Sequence, residues 1–158
     1  MSLRVRDIMV TDVITIDEGA TVREAAKLMS EKNVGSLIVL SKEGEPVGII
    51  TERDILMRVV AEGKNPDAVK VAWVMSKPII KGRPDMTLEE AARLMTSKGV
   101  KKLPIFEGNK LVGIITLTDL VRSQPYVVEV LEDILATEYL PPRFHKLIRP
   151  RVPRARPR

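Results

Sequence analysis

The apolar positions of the chain change period several times, and they do so twice in the same order. Ala25, Leu28 and Met29 recur at helical spacing, and so do Ala91, Leu94 and Met95. A Thr-x-x-Glu box opens each stretch, Thr21 to Glu24 and Thr87 to Glu90, which is the form of a reciprocal N-terminal cap. Each stretch stops near a residue suited to a left-handed cap, Asn33 or Gly99. Upstream, a short segment ending at Met9 or Met75 leads into a small extended piece, residues 13–16 or 79–81. Downstream, apolar runs at 36–40 and 47–50 flank Lys42-Glu43-Gly44-Glu45, and runs at 103–106 and 111–115 flank Gly108-Asn109. Both loops carry hairpin chemistry. A second helix then begins at Thr51 or Thr116. The order strand, helix, strand, strand, helix is predicted twice.

Sliding the sequence against itself by 66 residues makes the duplication explicit. Val5, Met9, Ile14, Thr21, Glu24, Ala25, Ala26, Leu28, Met29, Lys32, Val34 and Leu37 all meet identical residues. After a one-residue deletion, Val47-Gly48-Ile49-Ile50-Thr51 meets Val112-Gly113-Ile114-Ile115-Thr116, and Asp54 meets Asp119. This is an internal repeat. One copy of about 50 residues is marginal for folding alone. Two copies can cover each other's apolar sheet faces about a pseudo-two-fold axis. The expected architecture is one α/β domain of two β-α-β-β-α repeats, residues 1–64 and 65–124, joined by a polar linker at 62–70. Val127, Val130, Leu131, Ile134 and Leu135 predict an amphipathic helix over 125–140. A Pro- and Arg-rich tail, 141–158, follows.

Composition narrows the class. There is no cysteine, no apolar run near the ~20 residues of a membrane span, and no long apolar stretch at the start. A cytoplasmic protein is the expectation. Aromatics at 3% argue against a base-stacking surface. The formal charge of +5 is unevenly placed: residues 141–158 hold six Arg, one Lys and no acid, so the other 140 residues carry 5 − 7 = −2. Basicity therefore belongs to the tail, which could dock on nucleic acid or an acidic partner, or simply be solvated.

The chemistry concentrates in two heptads, Gly48-Ile-Ile-Thr51-Glu-Arg-Asp54 and Gly113-Ile-Ile-Thr116-Leu-Thr-Asp119. Two readings stand side by side. A glycine on a strand lets a ligand approach the backbone, and Thr with Asp three residues later can bond sugar hydroxyls. The same Thr and Asp can instead cap a helix. Met9, Met29, Met75 and Met95 are spaced as core; Trp73 is open to two readings, a surface anchor or a packing residue, of which packing is preferred. His145 stands alone in the tail, with no Cys/His cluster for a metal and no phosphate-loop Gly-Lys-Ser/Thr. No nucleophile–base pair is legible, so an enzyme is not expected.

A duplicated unit whose copies each end Gly-apolar-apolar-Thr-x-x-Asp resembles the CBS domain, two of which in tandem form a Bateman module. The resemblance covers roughly residues 5–123 and looks like a stand-alone module. It implies a regulatory protein that binds AMP, ADP or ATP between the repeats, with S-adenosylmethionine a known variant, and it implies a homodimer. Carried over, Asp54 and Asp119 take ribose hydroxyls, and Thr51 and Thr116 bond ribose or phosphate. Thr11, Val13 and Ile14, with Lys77, Ile79 and Ile80, form the adenine slots. Ser36, Lys101 and Lys102 lie beside phosphate. The alternative is a nucleic-acid-binding protein whose tail binds while the paired repeats dimerise.

Overall fold

The computed structural model describes residues 3–124. A first compact unit extends to Leu120 and holds the first repeat and most of the second. The elements run α1 (Val5–Ile8), β1 (Thr15–Asp17), α2 (Val22–Lys32), β2 (Ser36–Leu40), β3 (Pro46–Thr51), α3 (Glu52–Ile55) with a π-helical turn at Leu56–Val60, α4 (Val71–Val74), α5 (Leu88–Lys98), β4 (Lys102–Glu107), β5 (Lys110–Thr116) and α6 (Leu117–Arg122). The helix predicted over 125–140, the tail and His145 lie outside the described residues.

The long helices form as their caps dictate. Thr21 Oγ1 accepts from Glu24 N–H while the Glu24 carboxylate accepts from Thr21 N–H. Thr87 and Glu90 do the same for α5. Asn33 (φ 53°) and Gly99 (φ 64°) end the helices in the left-handed region. Val22, Ala25 and Met29 of α2 are buried, as are Ala91 and Met95 of α5, so each helix covers one sheet with one stripe.

The sheets are not equal. The first has three strands, β1-β2-β3, with β1 parallel to β2 and β2 antiparallel to β3. The second is the hairpin β4-β5. Residues 79–81 do not form the predicted strand, and the backbone here pairs with β4 only through a bridge from Gly82 to Ile105. A proline explains the difference. In the first repeat Ile38 N–H donates to Ile14 O at 3.1 Å. Ile38 aligns with Pro104, which has no N–H to offer Ile80. Only the bonds on either side of Gly82 survive, Gly82 N to Pro104 O and Phe106 N to Gly82 O. Both hairpins shift register at the same aligned place, Val39/Leu40 and Ile105/Phe106.

Two hydrophobic cores result, and the repeats exchange their leading helices. Val71, Val74 and Met75, around α4, are buried with Val22, Leu37, Val39 and Ile50 of the first repeat. Val5 of α1 is buried with Ala91, Leu103, Ile105 and Ile115 of the second. The exchange is stitched by paired backbone bonds, Val10 with Ile114 and Ser76 with Ile49. Neither core is closed without the other repeat's leading segment.

That exchange accounts for the two heptad glycines. A Cβ on Gly48 would lie 2.5 Å from Met75 Sδ and 3.1 Å from Ser76 O. One on Gly113 would lie 2.7 Å from Met9 Sδ and 3.0 Å from Val10 O. The space expected for a ligand is filled by protein: glycine is required so that the exchanged segment can lie on the strand. Trp73 is also a correction. It is 66% exposed, with Lys70 Nζ 5.8 Å from its ring centroid, and does not pack in a core.

Candidate functional site

The heptad threonines and aspartates do cap. Thr51 Oγ1 accepts from Asp54 N–H, and Asp54 Oδ2 accepts from Thr51 N–H at 2.9 Å. Thr116 Oγ1 accepts from Asp119 N–H at 3.1 Å, and Asp119 Oδ2 accepts from Thr116 N–H at 2.9 Å. Capping uses one carboxylate oxygen and one hydroxyl lone pair, so it leaves each pair able to do more.

What remains differs between the copies. Asp119 Oδ1 has no hydrogen-bond donor among the described residues, and the residue is half-buried. It lines a cleft of about 210 Å³ together with Thr116, Asp12, Val13, Ser36 and Lys102. Val10, Ile14, Val34, Ile38 and Ile114 supply its apolar wall, and Gly35 completes it. The cleft is composite. Thr116 comes from the end of β5 and Asp119 from the first turn of α6, while its apolar slot comes largely from the first repeat's β1 approach and the start of β2.

Lys102 enters this cleft from the start of β4. It is half-buried, and burial holds its ammonium below the ordinary lysine value, with the Glu52 carboxylate pulling partly the other way. Gly35 seats both groups. A Cβ there would lie 2.9 Å from Glu52 Oε1 and 2.9 Å from Lys102 Nζ. Gly35 O also accepts from Glu52 N–H at 3.0 Å. A cation with one anionic neighbour inside a small cleft is suited to exchange that neighbour for part of a ligand's charge.

The other sequence-expected residues sit elsewhere. Lys101 is exposed and contributes its carbonyl to Leu117 N–H at 2.9 Å. Lys77 lines a separate open groove of about 670 Å³ with Arg58, Trp73, Met75 and Ser76. Ile80 packs on the second core, and Ile79 is half-buried. Thr11 is exposed and is not among the lining residues of the 210 Å³ cleft. Asp54 is 7% exposed and turned to a different set of partners. Asp12 and Glu52 were not singled out from sequence. Asp12 lies inside the slot-forming stretch 11–14. Glu52 could have been found only by knowing that Gly35 brings it to Lys102.

Among the described residues, no group of three or more His, Cys, Asp or Glu could hold a metal ion. No helix there is long and apolar enough to cross a membrane.

Comparison with known proteins places the duplication in a family. The family model described as CBS domain matches residues 5–61 and 69–126. An uncharacterized protein of Methanopyrus kandleri is 42% identical over 133 residues, 84% of this chain and 68% of its own length. A CBS domain-containing protein of Bacillus subtilis is 41% identical over 120 residues, 76% of this chain and 84% of its own. Among solved structures, a hexameric CBS-CP12 protein from bloom-forming cyanobacteria superposes with a TM-score of 0.75 at 35% identity, covering 86% of this chain and 78% of that one.

Proposed function

The chain belongs to the CBS-domain family as a tandem pair, and from that premise we propose that it is a non-catalytic sensor of adenosine nucleotides, with its site in the 210 Å³ cleft at Asp119. The observation that carries the reading is the free Oδ1 of Asp119 beside an apolar slot and one half-buried cation. Asp119 Oδ1 is free to accept from a ribose hydroxyl, and Thr116 can donate its O–H. Val13, Ile14 and Ile38 offer an apolar slot of the kind a purine ring fills. Ser36 and Lys102 stand where a phosphate would meet them.

Size and charge favour AMP over ATP. The cavity is below the roughly 300–1,000 Å³ of drug-sized sites. Its lining has one cation, Lys102, against Asp12 and Asp119. A chain of three phosphates would meet little compensating charge there.

Titration calorimetry with AMP, ATP and adenosine tests this. AMP is expected to bind more tightly than ATP. Lys102→Met is expected to weaken AMP by about three- to tenfold and leave adenosine unchanged. The same variant has a stability signature. Because the folded-state pKa of Lys102 is depressed, the folded chain sheds this proton first as pH rises, so stability climbs toward the ordinary lysine value. Lys102→Met should abolish that climb. Equal affinity of wild type and Lys102→Met for AMP would remove Lys102 from the site.

A homodimer belongs to the same proposal. Leu56, Met57 and Val60, on the π-helical turn, and Leu117, at the start of α6, are 47–64% exposed, with Met57 at 50%. Apolar side chains at this exposure suit cover by a second copy. The +7 segment 141–158 supports docking to an acidic partner or nucleic acid, weakened by salt.

A further inference from the structure

We propose that the two sequence-equivalent aspartates have divided their work: Asp119 serves the ligand and Asp54 is a structural carboxylate, so each chain holds one nucleotide. This rests on the nucleotide reading above and fixes the stoichiometry that the duplication leaves open.

Both carboxylate oxygens of Asp54 already have protein partners, whereas among the described residues only one of Asp119's does. Oδ2 accepts from Thr51 N–H at 2.9 Å and from the Thr51 hydroxyl at 3.1 Å. Oδ1 accepts from the Ser76 hydroxyl at 2.9 Å, and Arg58 Nη1 lies 3.9 Å away. That guanidinium nitrogen in turn donates to Val74 O at 2.8 Å and Met75 O at 3.1 Å. The carboxylate therefore ties α3 to the C-terminal end of α4, the helix exchanged into the first core. At 7% exposure it does so nearly out of solvent.

The aligned copy lacks this arrangement for a reason visible in the sequence. Ser76 aligns with Val10, whose side chain has no proton to donate, and Arg58 aligns with Ser123, which carries no charge. Thr116 also differs from Thr51: its hydroxyl accepts from Asp119 N–H but does not donate to the Asp119 carboxylate. Asp119 keeps one oxygen, and Thr116 keeps its proton, for an outside partner. Two substitutions in the leading segment and the following helix thus turn one ligand hook into a brace.

Two readouts on the full chain test the division. In titration with AMP, wild type is expected to bind one AMP per chain. Asp119→Asn should lower affinity by about tenfold or more, whereas Asp54→Asn should leave it within about twofold. In thermal melts the order reverses, with Asp54→Asn lowering the midpoint by more than Asp119→Asn does. Two AMP per chain, or equal affinity losses in the two variants, would overturn the proposal. If wild type binds no AMP at millimolar ligand, the nucleotide reading fails; the melts then decide the brace alone, and equal midpoints for the two variants would sink it. Should Asp54→Asn not fold, Ser76→Ala takes its place: a lowered midpoint with unchanged AMP affinity supports the brace, and an unchanged midpoint refutes it.

Discussion

Val5→Asp is expected to abolish folding of the second repeat, and with it the paired domain. Val5 is fully buried among Ala91, Met95, Leu103 and Ile115, though it stands at the very start of the chain. Its N–H donates to Met86 O at 2.9 Å, and Arg6 N–H donates to Pro84 O at 3.0 Å, so α1 cannot swing out without breaking a backbone seam. A carboxylate there loses the burial of the valine and gains an unpaired charge, a combination worth about 4 kcal/mol or more. That approaches the low end of the roughly 5–15 kcal/mol a domain has available. Val5→Ala removes only the packing and should cost about 2 kcal/mol. Denaturant melts of the two variants measure both. Native stability in Val5→Asp would mean that α1 does not belong to the second core.

Gly113→Val should be the next most damaging change, through overpacking. The Cβ alone would fall 2.7 Å from Met9 Sδ and 3.0 Å from the Val10 carbonyl. The sulfur can give way, but the carbonyl is fixed by its own bond from Ile114 N–H. A loss of about 3 kcal/mol is expected, with about 1–2 kcal/mol for Gly113→Ala. Met9→Ala should recover part of the Gly113→Ala loss, giving a favourable coupling in a double-mutant cycle. The readout also separates the two meanings of this glycine. If it were there for a ligand, Gly113→Ala would weaken AMP and spare stability; a close-packing role predicts the reverse.

Much of this was legible before any coordinates. The caps at Thr21, Thr87, Asn33 and Gly99 are local, set by residues within four positions, and they form as the sequence predicts. The repeat and its hairpins follow from periodicity. What was not legible depends on residues far apart in the chain. The missing strand in the second sheet comes from Pro104, whose cost shows only when its partner is known to be Ile80. The role of Gly48 and Gly113 depends on Met75 and Met9, which arrive from the opposite repeat. Symmetry was also a misleading guide to the site. The heptads are alike in sequence, yet Ser76 and Arg58 partner Asp54, whereas the aligned Val10 has no hydroxyl and the aligned Ser123 no charge. The lysine pair divides likewise: Lys102, the first residue of β4, lines the cleft, and Lys101, just before the strand, is exposed.

A crystal structure of the full chain grown with AMP tests the central claim most directly. The expected result is one nucleotide in the cleft between Val13 and Asp119, with a ribose hydroxyl in hydrogen-bond range of the Asp119 carboxylate and the phosphate toward Lys102. A cleft that stays empty at millimolar AMP, or a ribose held by Asp54 instead, would contradict the account.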